Sequence, residues 1–381
     1  MRVLSRGLGL LLLALLGQAC ASGSRSPFPD RVRLPGYSEP AGQDESHGEY
    51  VLPTRQCGDF FLVDAWVNGE GPFPLLLDSG AGRTVLDPAV LTEAGIGNAM
   101  DSLRIGEFVA YGAGAGELEM TELSFALREP VMGILGHPIF AGGTITYDYP
   151  RGEIRLSREP LSPEDPGVVR ARESSRPWVV GEAGGKRFWV LLDTGSSRGL
   201  SLVDLESWAG AESTVMTGAS MRVDGLHPTY SARAREDFRV GPLVLKRPIA
   251  GNSVSVNLMG QQVLHRFAVT FDARNDLVRF RRPDGPVEAP LTSSPLTGSG
   301  FTVRPLGDKR VVQHVLPSSP ADLAGLEAGD TILAVDGVPV DRLGCRARWA
   351  ERAPEADTVS LTLRNGAVVQ ELRVGRTVLV R

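Results

Sequence analysis

The chain has 381 residues, 42 % of them hydrophobic, enough for two or three domains that each bury a core. Its formal net charge of −5, with the signs interspersed, offers no basic face and excludes nucleic acid as a partner. The 3 cysteines and 5 scattered histidines make no zinc spacing and no His-Glu-x-x-His, and no glycine loop is built to cradle phosphate, so no metal and no cofactor are expected.

Residues 1–20 read as an export signal, with Arg2 and Arg6 ahead of an apolar stretch (8–16) too short to span a bilayer as a mature helix. Gly17-Gln18-Ala19-Cys20 looks like a bacterial lipobox with Cys20 as the lipidated residue, although Leu16 stands one place early. The competing reading is ordinary cleavage at Ala19-Cys20-Ala21, before Ser22. Either route predicts an exported chain at the periplasmic face of a bacterial envelope, touching the membrane through a lipid anchor only. Residues 21–48, rich in Ser, Gly, Pro and charge, read as a flexible tether. An oxidising compartment would permit a Cys57–Cys345 disulfide, but the two fall in different expected domains and are read as unpaired.

From residue 49 onward, short β-branched and aromatic runs separated by Gly and Pro predict a mainly β chain, with helices only near 88–94 and 342–352. Within it, Leu75-Leu76-Leu77-Asp78-Ser79-Gly80 is echoed by Val190-Leu191-Leu192-Asp193-Thr194-Gly195, 193 − 78 = 115 positions later. The register extends to Gly69 and Gly184, Phe73 and Phe188, and Arg83 and Arg198. Ile134-Leu135-Gly136 is matched by Leu258-Met259-Gly260, and from there Thr146 pairs with Thr270, Tyr147 with Phe271 and Asp148 with Asp272. The Asp-to-Gly spans differ, 136 − 78 = 58 against 260 − 193 = 67, so the second copy carries an insertion. The chain contains an internal duplication.

One aspartate per copy is the recipe for a paired-carboxylate centre. Two carboxyls about 3 Å apart cannot both ionise, so they share a proton and serve as base and acid toward one water. Ser79 and Thr194 supply hydroxyls to lock the two loops, while Gly80 and Gly195 permit the turn and the close approach. Both copies resemble retropepsin-like aspartic proteases, and the pair resembles a retroviral-protease dimer fused into one chain. The resemblance rests on Asp-Ser/Thr-Gly followed by Ala81 or Ser196 and on the later apolar-apolar-Gly element. It implies two β-lobes, at 49–158 and 174–283, forming a pseudo-twofold bilobal unit. It implies a flap from each lobe, for which 111–116 and 217–226 are the candidates. It also places Gly82, Arg83, Ser197 and Arg198 at substrate subsites, where two Arg favour acidic side chains; the alternative is that both are solvated surface residues. Asp148 and Asp272 read as structural. Gly195-Ser196-Ser197-Arg198-Gly199 fits a serine-hydrolase elbow only as a short pattern, because that elbow needs a strand and a helix around it.

Residues 284–298 read as a linker. Beyond it, Pro317-Ser318-Ser319-Pro320-Ala321, Ala324-Gly325-Leu326, Gly329-Asp330 and the run from Ile332 to Gly337 resemble a bacterial PDZ domain, assigned to 299–381. The resemblance puts a carboxylate-binding loop at Gly300-Phe301 and a peptide groove between the following strand and the helix expected near 342–352, taking peptide C-termini or extended segments. The whole reads as an aspartic endopeptidase acting on protein or peptide substrates through Asp78 and Asp193, with an acidic optimum. The alternative is a catalytically inactive peptide-binding lipoprotein that uses the PDZ domain and an inert cleft.

Overall fold

The computed structural model describes residues 49–381 apart from 98, 174, 210–213, 223–224, 284, 307–308, 344 and 346–357. The leader, Cys20, the tether and most of the helix expected near 342–352 lie outside the described residues.

Strands come first because the sequence alternates or clusters β-branched and aliphatic residues between glycine turns. The first repeat runs β1 (Tyr50–Leu52), β2 (Arg55–Cys57), β3 (Phe60–Val67), β4 (Glu70–Asp78), β5 (Thr84–Leu86), α1 (Pro88–Glu93), β6 (Ser102–Ile105), β7 (Phe108–Tyr111), β8 (Ala115–Glu117), α2 (Thr121–Leu127), β9 (Gly133–Gly136), β10 (Thr144–Asp148) and β11 (Glu153–Ser157). Asp87 caps α1 by accepting from Ala89 N, with Pro88 at the first turn, so this helix starts where its sequence directs. β12 (Val168–Glu173) leads into the second repeat: β13 (Pro177–Ala183), β14 (Lys186–Leu192), β15 (Leu200–Leu202), α3 (Leu205–Ala209), β16 (Val215–Arg222), β17 (Gly225–Arg233), β18 (Phe238–Val240), β19 (Leu243–Lys246), β20 (Ile249–Asn252), β21 (Leu258–Met259), α4 (Gln261–Leu264), β22 (Ala268–Asp272) and β23 (Leu277–Arg281).

Strand pairing repeats as the sequence does. β4 pairs in parallel with β9, and β14 with β21. β5 pairs in parallel with β8, and β15 with β20. β3 carries β6 at its edge as β13 carries β18. The two halves join where β10 and β22 run antiparallel, with Thr146 opposite Thr270 and their hydroxyls 2.9 Å apart. One continuous hydrophobic cluster spans both repeats, from Leu52 and Phe61 to Phe271 and Phe280.

The pairing also locates what is not repeated. Because β18, β19 and β20 answer to β6, β7 and β8, the long β16–β17 hairpin is the insertion in the second copy. Helix α2, between β8 and β9, has no counterpart in the second copy among the described residues. The stretch 111–116, expected to form a flap, instead joins β7 to β8, bridges to Ala99 through Gly114 and lays Gly116 against Arg83. The span 94–101 between α1 and β6 is too short for a hairpin like β16–β17.

After the second repeat, β24 (Leu291–Thr292) pairs in parallel with β19, and the last unit follows: β25 (Leu296–Gly298), β26 (Phe301–Leu306), β27 (Lys309–Val315), α5 (Pro320–Leu323), β28 (Thr331–Val335), β29 (Val338–Pro339), β30 (Thr358–Asn365), β31 (Val368–Gly375) and β32 (Thr377–Val380). Its sheet runs β26-β27-β28-β30-β31 over a separate core that includes Val312, Leu326, Ile332, Leu361 and Leu363.

Cys57 and Cys345 form a disulfide across 288 residues, which corrects the reading of two unpaired thiols. The reason is a contact between domains. Cys57 is buried beside Leu62, Leu76, Met120 and Val131, and Cys345 packs on that same cluster from the last unit.

Candidate active site

Each aspartate arrives at the end of a strand buried on both faces, β4 through Leu75, Leu76 and Leu77 and β14 through Val190, Leu191 and Leu192. The loop that follows folds back under its own carboxylate. Gly80 N donates to Asp78 Oδ1 at 2.7 Å, and Gly195 N donates to Asp193 Oδ1 at 3.0 Å.

The loops then lock across the two repeats. Ser79 Oγ donates to the Leu192 carbonyl at 2.8 Å and accepts from Thr194 N at 3.0 Å, while Thr194 Oγ1 accepts from Ser79 N at 2.9 Å. Ser79 and Thr194 are almost wholly buried, so these bonds are shielded from competing water. Both glycines are required by proximity. A Cβ on Gly80 would stand 2.6 Å from Asp193 Cγ, and one on Gly195 would stand 2.4 Å from Asp78 Cγ.

Asp78 and Asp193 therefore face each other within hydrogen-bond reach. Both residues keep part of their surface exposed. Burial pushes both carboxyls above the usual carboxylate range. Asp193 is pushed well above it, by burial and then by the adjacent Asp78 charge. At Asp78 the rise from burial is opposed by the Gly80 amide and the hydrogen bond with Asp193. The two carboxyls therefore hold one proton and one charge between them.

Three more groups surround the pair. Beneath it, Tyr147 hydrogen-bonds the Thr194 side chain, and burial pushes its phenol far up, so it stays neutral. Its repeat counterpart is Phe271, which meets it edge-on at 5.7 Å. Gln261 is fully buried and its Nε2 donates to the Thr194 carbonyl at 2.6 Å, which fixes the second loop from below. Beside the pair, Arg176 stacks over Trp178 with its guanidinium 5.1 Å from the ring, and Cγ lies 3.4 Å from where a Gly82 Cβ would be. Burial pulls Arg176 below its ordinary value, opposed by the charges of Asp193 and Asp78. Arg176 was invisible in the repeat because its register mate, 176 − 115 = 61, is Phe61.

The remaining expected residues divide. Gly82 lies beside the pair, against Ser175 and Arg176. Ser197 is exposed. Arg83 is exposed, with its guanidinium over Gly116. Arg198 is half-buried, with Nη1 donating to the Asn252 carbonyl at 3.3 Å and the side chain filling the space above Gly251. Asp148 is buried among Arg151, Arg155 and Arg281, and Asp272 accepts from Leu161 N and Asn275; both are held within the fold. Among the described residues no group of three or more metal-ligating side chains gathers. No described helix is long and apolar enough to cross a membrane.

At the far end of the chain, Gly300 has φ of 84° and its carbonyl accepts from Leu316 N at 2.7 Å. A Cβ there would stand 2.2 Å from Ser319 Cβ. Phe301 opens β26, which is the terminal strand of its sheet.

Residues 311–365 match the model of the PDZ domain family, and this part of the chain is a PDZ domain. A carboxyl-terminal-processing protease from Picosynechococcus sp. is 42 % identical over 77 residues. That match covers 19 % of this chain and 19 % of the relative and lies in the PDZ region, so the chain matches about a fifth of that protein's length. Among solved structures, a PDZ domain protein from Parabacteroides distasonis is 24 % identical over 22 % of this chain and 21 % of that one, with a TM-score of 0.21. The HtrA3 PDZ domain bound to a phage-derived ligand is 21 % identical over 22 % of this chain and 88 % of that one, with a TM-score of 0.19.

Proposed function

We propose that the chain is an aspartic endopeptidase in which Asp78 and Asp193 form one acid–base centre. The observation that carries this reading is the reciprocal seating of the two loops, each glycine under the other repeat's carboxyl. In this scheme ionised Asp78 takes a proton from a water whose oxygen adds to the peptide carbonyl carbon. Asp193 gives its proton to the carbonyl oxygen, leaving a neutral tetrahedral diol. The C–N bond then breaks as Asp78 returns its proton to the nitrogen and Asp193 regains one from the diol. Raised carboxyls suit this exchange, because a general acid works best when its pKa approaches the operating pH.

The two repeats would be retropepsin-like lobes, with the β16–β17 hairpin as the single long flap. That hairpin supports the role because it reaches from the second repeat to α2 of the first. Arg176 adds a cation beside the pair, suited to an acidic substrate side chain. The PDZ domain would hold peptide termini or extended segments near the cleft. Export is consistent with the Cys57–Cys345 disulfide, which persists in oxidising compartments.

The test is cleavage of a mixed peptide library from mildly acidic to neutral pH, reading new termini by mass. The account expects the native chain to cut and Asp78→Asn to lose on the order of 10⁴-fold in rate. Cleavage that survives unchanged in Asp78→Asn would remove the reading.

A further inference from the structure

The two elements that break the duplication both meet the PDZ domain. Helix α2, which has no counterpart among the described residues of the second repeat, packs against both β16 and β26. The hairpin found only in the second repeat meets β26 and β32 through β16, and β32 through β17. Three parts of the molecule with no shared history in sequence thus converge on one joint.

The joint is fastened by specific chemistry. Arg310 on β27, only 9 % exposed, donates through Nη2 to the Phe125 carbonyl of α2 at 2.9 Å and stacks its guanidinium 4.3 Å above the Phe125 ring. That carbonyl lies in the last turn of α2, where the helix has no backbone donor left to offer, so the cation serves as a cap from another domain. Arg128, at the left-handed end of α2, donates back to the Leu343 carbonyl of the PDZ domain at 3.0 Å. The Cys57–Cys345 disulfide adds a covalent tie nearby. On the hairpin side, Arg233 at the end of β17 donates to the carbonyls of Arg381, Arg247 and Ser293.

The arrangement has a mechanical consequence. β16 pairs only with β17 and β26 only with β27, so each is the last strand of its sheet among the described residues. These two terminal strands touch.

We propose that the PDZ domain steadies the cleft: through α2 it holds the β16–β17 hairpin in position, so that loosening this joint frees the hairpin. The effect on cleavage rests on the proposed catalytic reading, but the contact itself does not. Its test therefore reads the hairpin directly as well as the reaction.

Amide hydrogen exchange of the full chain is compared with Arg310→Met and with Arg310→Lys, which keeps the charge but loses the planar fork and the stacking. Exchange across 215–233 is expected to quicken about tenfold in Arg310→Met, and less in Arg310→Lys, as local opening becomes easier. Amides of β28, β30 and β31 serve as the folding control and should hold. In the same preparations, peptide cleavage should change in KM with kcat nearly kept, because Arg310 touches no reacting group. If 215–233 exchanges at the native rate in both variants while the end of α2 loosens, the joint stops at α2 and the proposal falls. Should the native chain cut nothing while the hairpin still loosens, the catalytic reading has failed and the coupling stands.

Discussion

In the first repeat the chain passes from α1 to β6 across a short span and spends its extra length on α2. In the second it passes from α3 to β18 through the β16–β17 hairpin and returns from β20 to β21 with no helix between. Beneath these differences the two halves agree closely: the same parallel pairs hold the aspartate strands, and Thr146 meets Thr270 where the halves join. The lesson lies in where the symmetry is kept. A pair of carboxyls sharing one proton needs two matched loops, so the loops match. Access to them needs no such match, and there the repeats have diverged.

The comparison can be broken first at the PDZ attachment. Only the first repeat carries a disulfide to that domain. Cys57→Ser should lower stability by about 2–4 kcal/mol in urea unfolding, and reductant should do the same to the native chain. A variant as stable as the native protein would show that the tie does nothing beyond the packing of Cys57.

The second test asks whether the loops are as equivalent as they look. A Cβ at Gly80 or Gly195 would press on the opposite carboxyl, so Gly80→Ala and Gly195→Ala should each cost about 1–3 kcal/mol. Both should also spoil cleavage. If thermal melts showed one alanine harmless and the other severe, the loops would not be reciprocal.

A smaller effect comes from the proton that the two aspartates hold. Asp193 holds its proton above the ordinary value of 3.8, so the folded chain binds more protons than the unfolded chain as pH rises past that value. In strong acid both states are protonated and the carboxyl costs nothing. Stability then falls with rising pH until the native carboxyl ionises. Asp193→Asn removes this titration, so near neutral pH it should melt a few degrees above the native chain, with the gain vanishing in acid. Asp78→Asn should gain in the same direction, since burial raises Asp78 as well. No gain near neutral pH in either variant would mean that the pair does not hold a proton.

Much of the site was legible because its residues recur in register. Asp78, Ser79 and Gly80 announce themselves only when Asp193, Thr194 and Gly195 repeat them, and the PDZ domain follows from its run of glycine turns and short strands. What escaped notice was whatever one copy holds alone. Arg176 has Phe61 at its repeat position, and the hydroxyl of Tyr147 is missing from Phe271. The Cys57–Cys345 bond depends on how the last domain docks, which no local pattern encodes. The glycines of 111–116 suggest a first-repeat flap, but that stretch is held down by Ala99 and Arg83. Arg198, placed at a subsite by its spacing from Asp193, reaches the Asn252 carbonyl within its own half.

The central claim is that each repeat supplies half of one catalytic unit, and a double-mutant cycle tests it most directly. Peptide cleavage would be compared among the native chain, Asp78→Asn, Asp193→Asn and the double variant at one mildly acidic pH. The account predicts that each single change removes nearly all activity and that the double variant is no slower than either, because a unit broken once has nothing left to lose. Losses that multiply in the double variant, or a single variant that cuts like the native chain, would contradict it.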